Sequence, residues 1–176
     1  MQTKENRYIE YKEAYRKRMA FFKEREGLTK VLCIINKFLT YTVFGLYPLL
    51  LIWLLLFKKE LLFAAVVVPL DSFIILSVAR YLINRRRPYE YYGTPSATAK
   101  TTRGRSFPSR HVFSAFVIAV TFLAVGPQPA VGYALLLVGV VLAAIRFLLG
   151  VHFISDVVAG AVFGIFAGAV GYLLLI

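Results

Sequence analysis

The chain of 176 residues holds two histidines: His111 adjoins Arg110, and His152 follows Arg146 by six residues, both in otherwise hydrocarbon-like sequence. His152 and Asp156 are four positions apart, a spacing that on a helix brings two side chains to one face within reach of each other. A carboxylate there accepts the proton on one imidazole nitrogen, fixes the tautomer and leaves the lone pair of the other nitrogen as a nucleophile. His111, on a separate segment, suits a general acid, because an ordinary imidazole pKa of about 6.5 favours proton transfer near neutrality. The arginines fall in three stretches: "RYLINRRRP" at 80–88, "PSRH" at 108–111 and "AIRFLLGVHFISDVVAG" at 144–160. Guanidinium groups converging from three parts of a chain describe a pocket for a multiply charged anion. Phosphate fits best, since paired N–H donors match its oxygens and the charge survives partial desolvation. The start of a helix at "FPSRH" adds free backbone N–H groups and a favourable dipole for the same anion.

These residues have to be positioned inside a membrane. Hydrophobic residues make up 59% of the chain and mean hydropathy is +0.69, which excludes an ordinary soluble domain. The fold class expected is all-α, since lipid cannot satisfy the open edge of a sheet. Apolar segments at about 38–57, 61–83, 109–125, 130–149 and 153–175 predict a polytopic bundle of five spanning helices. All three arginine stretches then land on one membrane face. The net charge of +12 points to anionic lipid headgroups or an acidic substrate as partner, with nothing directing it to nucleic acid. The lone Cys33 precludes an internal disulfide and a Cys-rich metal site.

Residues 1–30 form a separate basic segment, with nine Lys or Arg and five Glu among Tyr8, Ile9, Tyr11, Tyr15, Met19, Phe21 and Phe22. They predict an amphipathic helix on the membrane surface, or an arm packed on the transmembrane domain of 31–176. Arg85 and Arg86 read as interfacial anchors, and Tyr89, Tyr91 and Tyr92 as an aromatic belt. Asp71, in mid-span, is expected to bond another helix or to serve function. Gly160, Gly164 and Gly168 form a row that admits a neighbouring helix closely.

The sequence resembles the type-2 phosphatidic acid phosphatases, integral-membrane lipid phosphatases related to vanadium haloperoxidases. Three motifs carry the resemblance, in order: Arg80, six residues, then Arg87-Pro88; Pro108-Ser109-Arg110-His111; and Ile145-Arg146, five residues, His152, three residues, Asp156. Arg80 stands where the family usually has Lys, Arg110 where it has Gly, and Ile145 where it has Ser. The resemblance implies that His152 attacks phosphorus to form a phosphohistidine and that Asp156 orients it. His111 would protonate the leaving oxygen and later activate water. Arg80, Arg87, Arg146 and Ser109 would hold the phosphoryl oxygens, joined by Arg110, with neither metal nor other cofactor required. Substrates implied are lipid phosphates or diphosphates, such as phosphatidic acid, phosphatidylglycerophosphate or undecaprenyl diphosphate. For a diphosphate, Lys100, Arg103, Arg105 and Arg110 are expected to receive the second phosphate. A lipid-phosphate binder or transporter without activity, and a phosphatase of soluble esters, are the rival readings; a binder would need the arginines without the two histidines and Asp156. Lysines and arginines near span ends place the site on the cytoplasmic face. The resemblance implies the opposite, extracytoplasmic face of a bacterial cytoplasmic membrane.

Overall fold

The computed structural model describes the backbone of residues 2–176 and the side chains of residues 5–176. Seven helices follow one another: α1 (Gln2–Glu24), α2 (Glu26–Phe57), α3 (Lys59–Ile83), α4 (Pro88–Tyr92), α5 (Arg110–Val125), α6 (Pro129–Leu148) and α7 (Ile154–Leu175). Helices α2, α3, α6 and α7 are long and apolar enough to cross a membrane, and α5 is a shorter apolar helix. The five expected segments are thus all helical. The first begins at Glu26 rather than near residue 38, giving a helix of 32 residues. Lys30, Asn36 and Lys37 interrupt its apolar pattern without ending it, because nothing there breaks a helix.

Helix α5 is the axis of the bundle. Val112 to Ala119, Thr121, Phe122 and Val125 are buried, Val120 and Leu123 are half-buried and Ala124 is exposed, so the helix is hidden over most of its surface. The glycine row of α7 lies against it. A Cβ added at Gly160 would come within 2.7 Å of the Ser109 carbonyl oxygen, and one at Gly164 within 2.7 Å of that of Phe113. Small residues there let two backbones approach, as the row predicts. In α3, Pro69 has no N–H to give the carbonyl of Ala65; the Tyr47 hydroxyl of α2 donates to that oxygen instead, at 2.9 Å.

The basic segment breaks at Arg25, five residues before the expected boundary, and one face of α1 packs on the bundle. Tyr15, Met19 and Phe22 are buried with Tyr89, and the Tyr15 hydroxyl donates to the Gly150 carbonyl at 3.2 Å. Arg18 stacks on Phe147 at 4.0 Å. Ile9, Tyr11 and Phe21 remain exposed, so only part of the aromatic set expected in the headgroups is free to enter them. Gly150 turns the chain between α6 and α7 with φ +71°, a conformation that favours glycine. Asp71, at the centre of α3, is exposed and has no hydrogen-bond or ion-pair partner among the described residues, so the helix-to-helix bond expected for it is not formed within the chain.

Gly164→Ala forces α5 and α7 apart against a backbone oxygen, and we expect a loss of about 1–3 kcal/mol. Gly45 of α2 has nothing within 4 Å of an added Cβ. Gly45→Ala should therefore hold or raise the melting temperature in detergent while Gly164→Ala lowers it; equal melting would contradict the packing.

Candidate active site

The site forms where α3, α5 and α6 reach the same end of the bundle and the chain turns into α7. Asp156 is in the first turn of α7 and is fully buried. Its Oδ2 accepts from the Phe153 N–H at 3.0 Å, a carboxylate reaching back over its own helix start, and from the Ser106 hydroxyl at 2.5 Å. Its Oδ1 accepts from Arg85 Nη1 at 2.7 Å. His152 lies in the turn just before the helix rather than on it, yet the four-residue spacing still brings Nδ1 to 3.5 Å from Asp156 Oδ2 and 3.4 Å from Ser106 Oγ. That contact is long, of the kind that tightens when substrate binds. With Nδ1 directed at the carboxylate, the proton belongs there and Nε2 carries the lone pair.

Arg87, Arg146 and Ser109 complete the centre. Arg87 precedes α4, is 7% exposed, and donates from Nε to the Gly104 carbonyl at 3.1 Å. Arg146, in the last turn of α6, is 6% exposed. Arg87 Nη1, Arg146 Nε and Ser109 Oγ are all buried without a hydrogen-bond partner. Buried donors are ordinarily satisfied, so the orphans on Arg87 and Arg146, both in the field of His152, and on Ser109, tied through its N–H to Asp156, suit an oxyanion. His111 opens α5 within the field of Arg146, Lys100, Arg110 and His152.

A long loop holds these parts in register. The Ser106 N–H donates to the Arg85 carbonyl at 2.9 Å, the Ala97 N–H to that of Leu149 at 3.2 Å, and the Ser109 N–H to that of Asp156 at 2.8 Å. Glu90 Oε2 accepts from the N–H groups of Arg87 and Gly104, each at 2.8 Å. Arg80 spends its terminal nitrogens on the carbonyls of Arg105, Ser106 and Pro108.

The family model of the "PAP2 superfamily" matches residues 60–175, from the start of α3 to the end of α7. The chain belongs to the PAP2 superfamily. No curated protein matches it significantly. Two solved structures share the fold. Aquifex aeolicus LpxE is 27% identical with a TM-score of 0.65, over 80% of this chain and 85% of that one. The first transmembrane PAP2 type phosphatidylglycerolphosphate phosphatase from Bacillus subtilis is 21% identical with a TM-score of 0.66, over 90% of this chain and 84% of that one. This PAP2 protein shares their helical membrane fold.

Several side chains of this PAP2 site stand elsewhere than the sequence led us to expect. Arg85, read as an anchor, is an ion-pair partner of Asp156 and also donates to Ser155 Oγ at 2.8 Å. Ser106 carried no sequence signal beyond its nearness to the "PSRH" stretch. Tyr89 is buried and donates to the Thr102 carbonyl rather than forming a belt, whereas Tyr91 is exposed. Lys100 falls near Arg87 and Arg146; partial burial first, then those two cations, push its ammonium below the usual lysine range. Arg103, Arg105 and Arg110 are grouped apart from Lys100, in a separate chamber that His152 does not line, with Arg110 over the Phe73 ring.

Burial pushes the His152 imidazole down to about 4; the Asp156 hydrogen bond opposes the shift, and Arg87 and Arg146 add to it. Protonation destroys the lone pair, so the contribution of His152 to kcat/KM should be lost only as pH falls through about 4, well below the ordinary imidazole value. Arg85→Ala strips Oδ1 of a charge-assisted partner, and we expect kcat to fall about 10- to 100-fold, with partial recovery in Arg85→Lys. Unchanged kcat in the alanine variant would remove Arg85 from the site.

Proposed function

We propose that the protein removes the terminal phosphate of a lipid phosphate or diphosphate through a phosphohistidine on His152. The observation that carries this reading is the single-ended imidazole: Nδ1 is committed to Asp156, and Nε2 has no hydrogen bond among the described residues while the ring lies in the field of Arg87 and Arg146, each with a buried, unpartnered donor. In the first step the Nε2 lone pair forms an N–P bond as the P–O bond to the lipid breaks, and His111 gives its proton to the departing oxygen. In the second, His111 takes a proton from water, the water oxygen bonds phosphorus and the N–P bond breaks. Arg87, Arg146 and Ser109 meet the charge that develops on the equatorial oxygens. Arg80 acts as a positioning residue, because its terminal nitrogens hold the loop that carries Ser106 and Ser109. Guanidinium groups supply the electrostatic clamp, so no metal takes part in either step.

A cleft of about 790 Å³ opens from His152 between α1 and α4, with Tyr8, Tyr91, Tyr92, Phe153 and Arg18 in its walls. Its size and aromatic lining favour a lipid headgroup over a small soluble ester. A binder or transporter would have no use for a tautomer-fixed histidine, which favours the enzyme over that rival. The site face also carries α1, and five crossings leave Ile176 on the opposite face. Following the resemblance rather than the charge count at the span ends, we assign the site to the extracytoplasmic face, with the exposed face of α1 against anionic headgroups.

His152→Ala should abolish phosphate release from phosphatidic acid in detergent. In His111→Ala, release should fall about 100-fold or more, because the leaving oxygen departs unprotonated and water lacks its base. Release should survive EDTA and be blocked by vanadate. Acid-labile, base-stable labelling of wild type by radioactive lipid phosphate, absent from His152→Ala, checks the intermediate; full turnover by His152→Ala would overturn it. A reporter fused after Ile176 should read cytoplasmic, and an extracytoplasmic signal would reverse the assigned sidedness.

A further inference from the structure

The backbone just ahead of His152 contains a soft joint. Gly150 stands two residues before it with φ +71°, a region that glycine enters far more freely than other residues. Inside the turn, the N–H groups of Val151 and His152 share one acceptor, the Arg146 carbonyl, at 3.1 and 3.4 Å. A shared bond of that length leaves His152 weakly held by its own turn. Rotation at Gly150 moves the imidazole relative to Asp156, and Nδ1 already stands 3.5 Å from Oδ2.

The restraint comes from α1, outside the three motifs. The Tyr15 hydroxyl donates to the Gly150 carbonyl at 3.2 Å, a buried contact. Burial pushes this phenol above the ordinary tyrosine range, so it stays a donor at every working pH. Met19, one turn along α1, packs on the same glycine: a Cβ added at Gly150 would come within 2.6 Å of the Met19 Sδ and 2.8 Å of the Tyr15 hydroxyl oxygen. Arg18 stacks on Phe147, the residue after Arg146, at 4.0 Å. Three side chains of one helix thus bear on the stretch that joins Arg146 to His152. We propose that α1 is a positioning element of the site: Tyr15 and Met19 set the Gly150 torsion and through it the aim of His152 Nε2. Both act through the backbone, without contact to the reacting atoms. Tyr15 also lines the cleft that opens from His152 and Met19 does not, so an effect of Met19 on turnover runs through Gly150. This role rests on the phosphohistidine reading above and adds what holds its nucleophile.

Tyr15→Phe and Met19→Ala should each lower kcat for phosphatidic acid about tenfold with KM unchanged, since a misplacement of about 1 Å at a nucleophile costs rate rather than affinity. Met19→Leu, which keeps the bulk against Gly150, should restore most of the rate. The vanadate concentration for half-inhibition should rise by the same factor as kcat falls, because the five-coordinate adduct requires an aimed nitrogen. Tyr47→Phe is the control: it removes a comparable hydroxyl-to-carbonyl bond, to Ala65 at 2.9 Å, between α2 and α3. It should lower the melting temperature and leave kcat and vanadate inhibition at wild-type values. Amide hydrogen exchange needs no turnover, and at residues 150–152 it should quicken about tenfold in Tyr15→Phe and Met19→Ala but not in Tyr47→Phe. Wild-type kcat in both α1 variants would overturn the proposal whatever the exchange shows, and a raised KM at unchanged kcat would reduce α1 to a wall of the cleft. Absence of phosphate release from the wild-type chain would overturn the phosphatase reading instead, and exchange would still decide whether α1 holds the turn.

Discussion

A carboxylate sealed from water sets the terms for the rest of the site. Asp156 is fully buried, and a charge in that position is tolerated only if donors surround it. They come from separate parts of the chain: Arg85 after α3, Ser106 from the long loop, the Phe153 N–H and His152 from the turn into α7. Satisfying one side chain thus draws the end of α3, the loop and the start of α7 to a common point. His152 benefits from this arrangement, since the group that orients it is itself held by contacts on both of its oxygens.

The helices make that convergence stiff. α5 runs through the middle of the bundle, and the glycines of α7 allow its backbone to lie close along the same helix that carries Ser109 and His111. The Ser109 N–H meets the Asp156 carbonyl, so the start of α5 is tied to the first turn of α7 by a backbone bond as well as by packing. Arg80 extends the tie to α3 through carbonyls at Arg105, Ser106 and Pro108. Ser106, Ser109 and Asp156 are therefore held where α3, α5 and α7 fix one another by packing and hydrogen bonds.

Much of this was legible in the sequence. Hydropathy marks five helices because lipid requires long apolar runs, and the spacing of His152 and Asp156 reveals a pair because their separation is local. Contacts across the chain left no such trace. Arg85 and Arg86 are neighbours of the same type, and only the fold shows that one reaches Asp156 while the other lines the arginine chamber. Ser106 is one serine among several until the loop folds it onto a carboxylate. The start of α2 was obscured by Lys30, Asn36 and Lys37, since hydropathy reports lipid depth rather than helicity. Arg110 reads as a neighbour of His111 in the chain, yet successive residues on a helix point about 100° apart, and its side chain leaves toward α3.

The shortness of α5 bears on how a phosphate reaches the site. With 16 residues it extends about 24 Å, whereas the hydrocarbon layer is about 30 Å thick. Helix α6 leaves the same Gly126–Pro129 turn and with 20 residues extends about 30 Å, so the near end of α5, with Ser109 and His111, stops several ångströms short of the end of α6. The candidate centre is consequently recessed. A phosphate tethered to a membrane tail can reach this depth by a small downward step in its own leaflet, while a free ester in water would have to leave bulk solvent and descend between aromatic walls. Geometry of this kind filters substrates by where they reside before any contact with their chemistry is made.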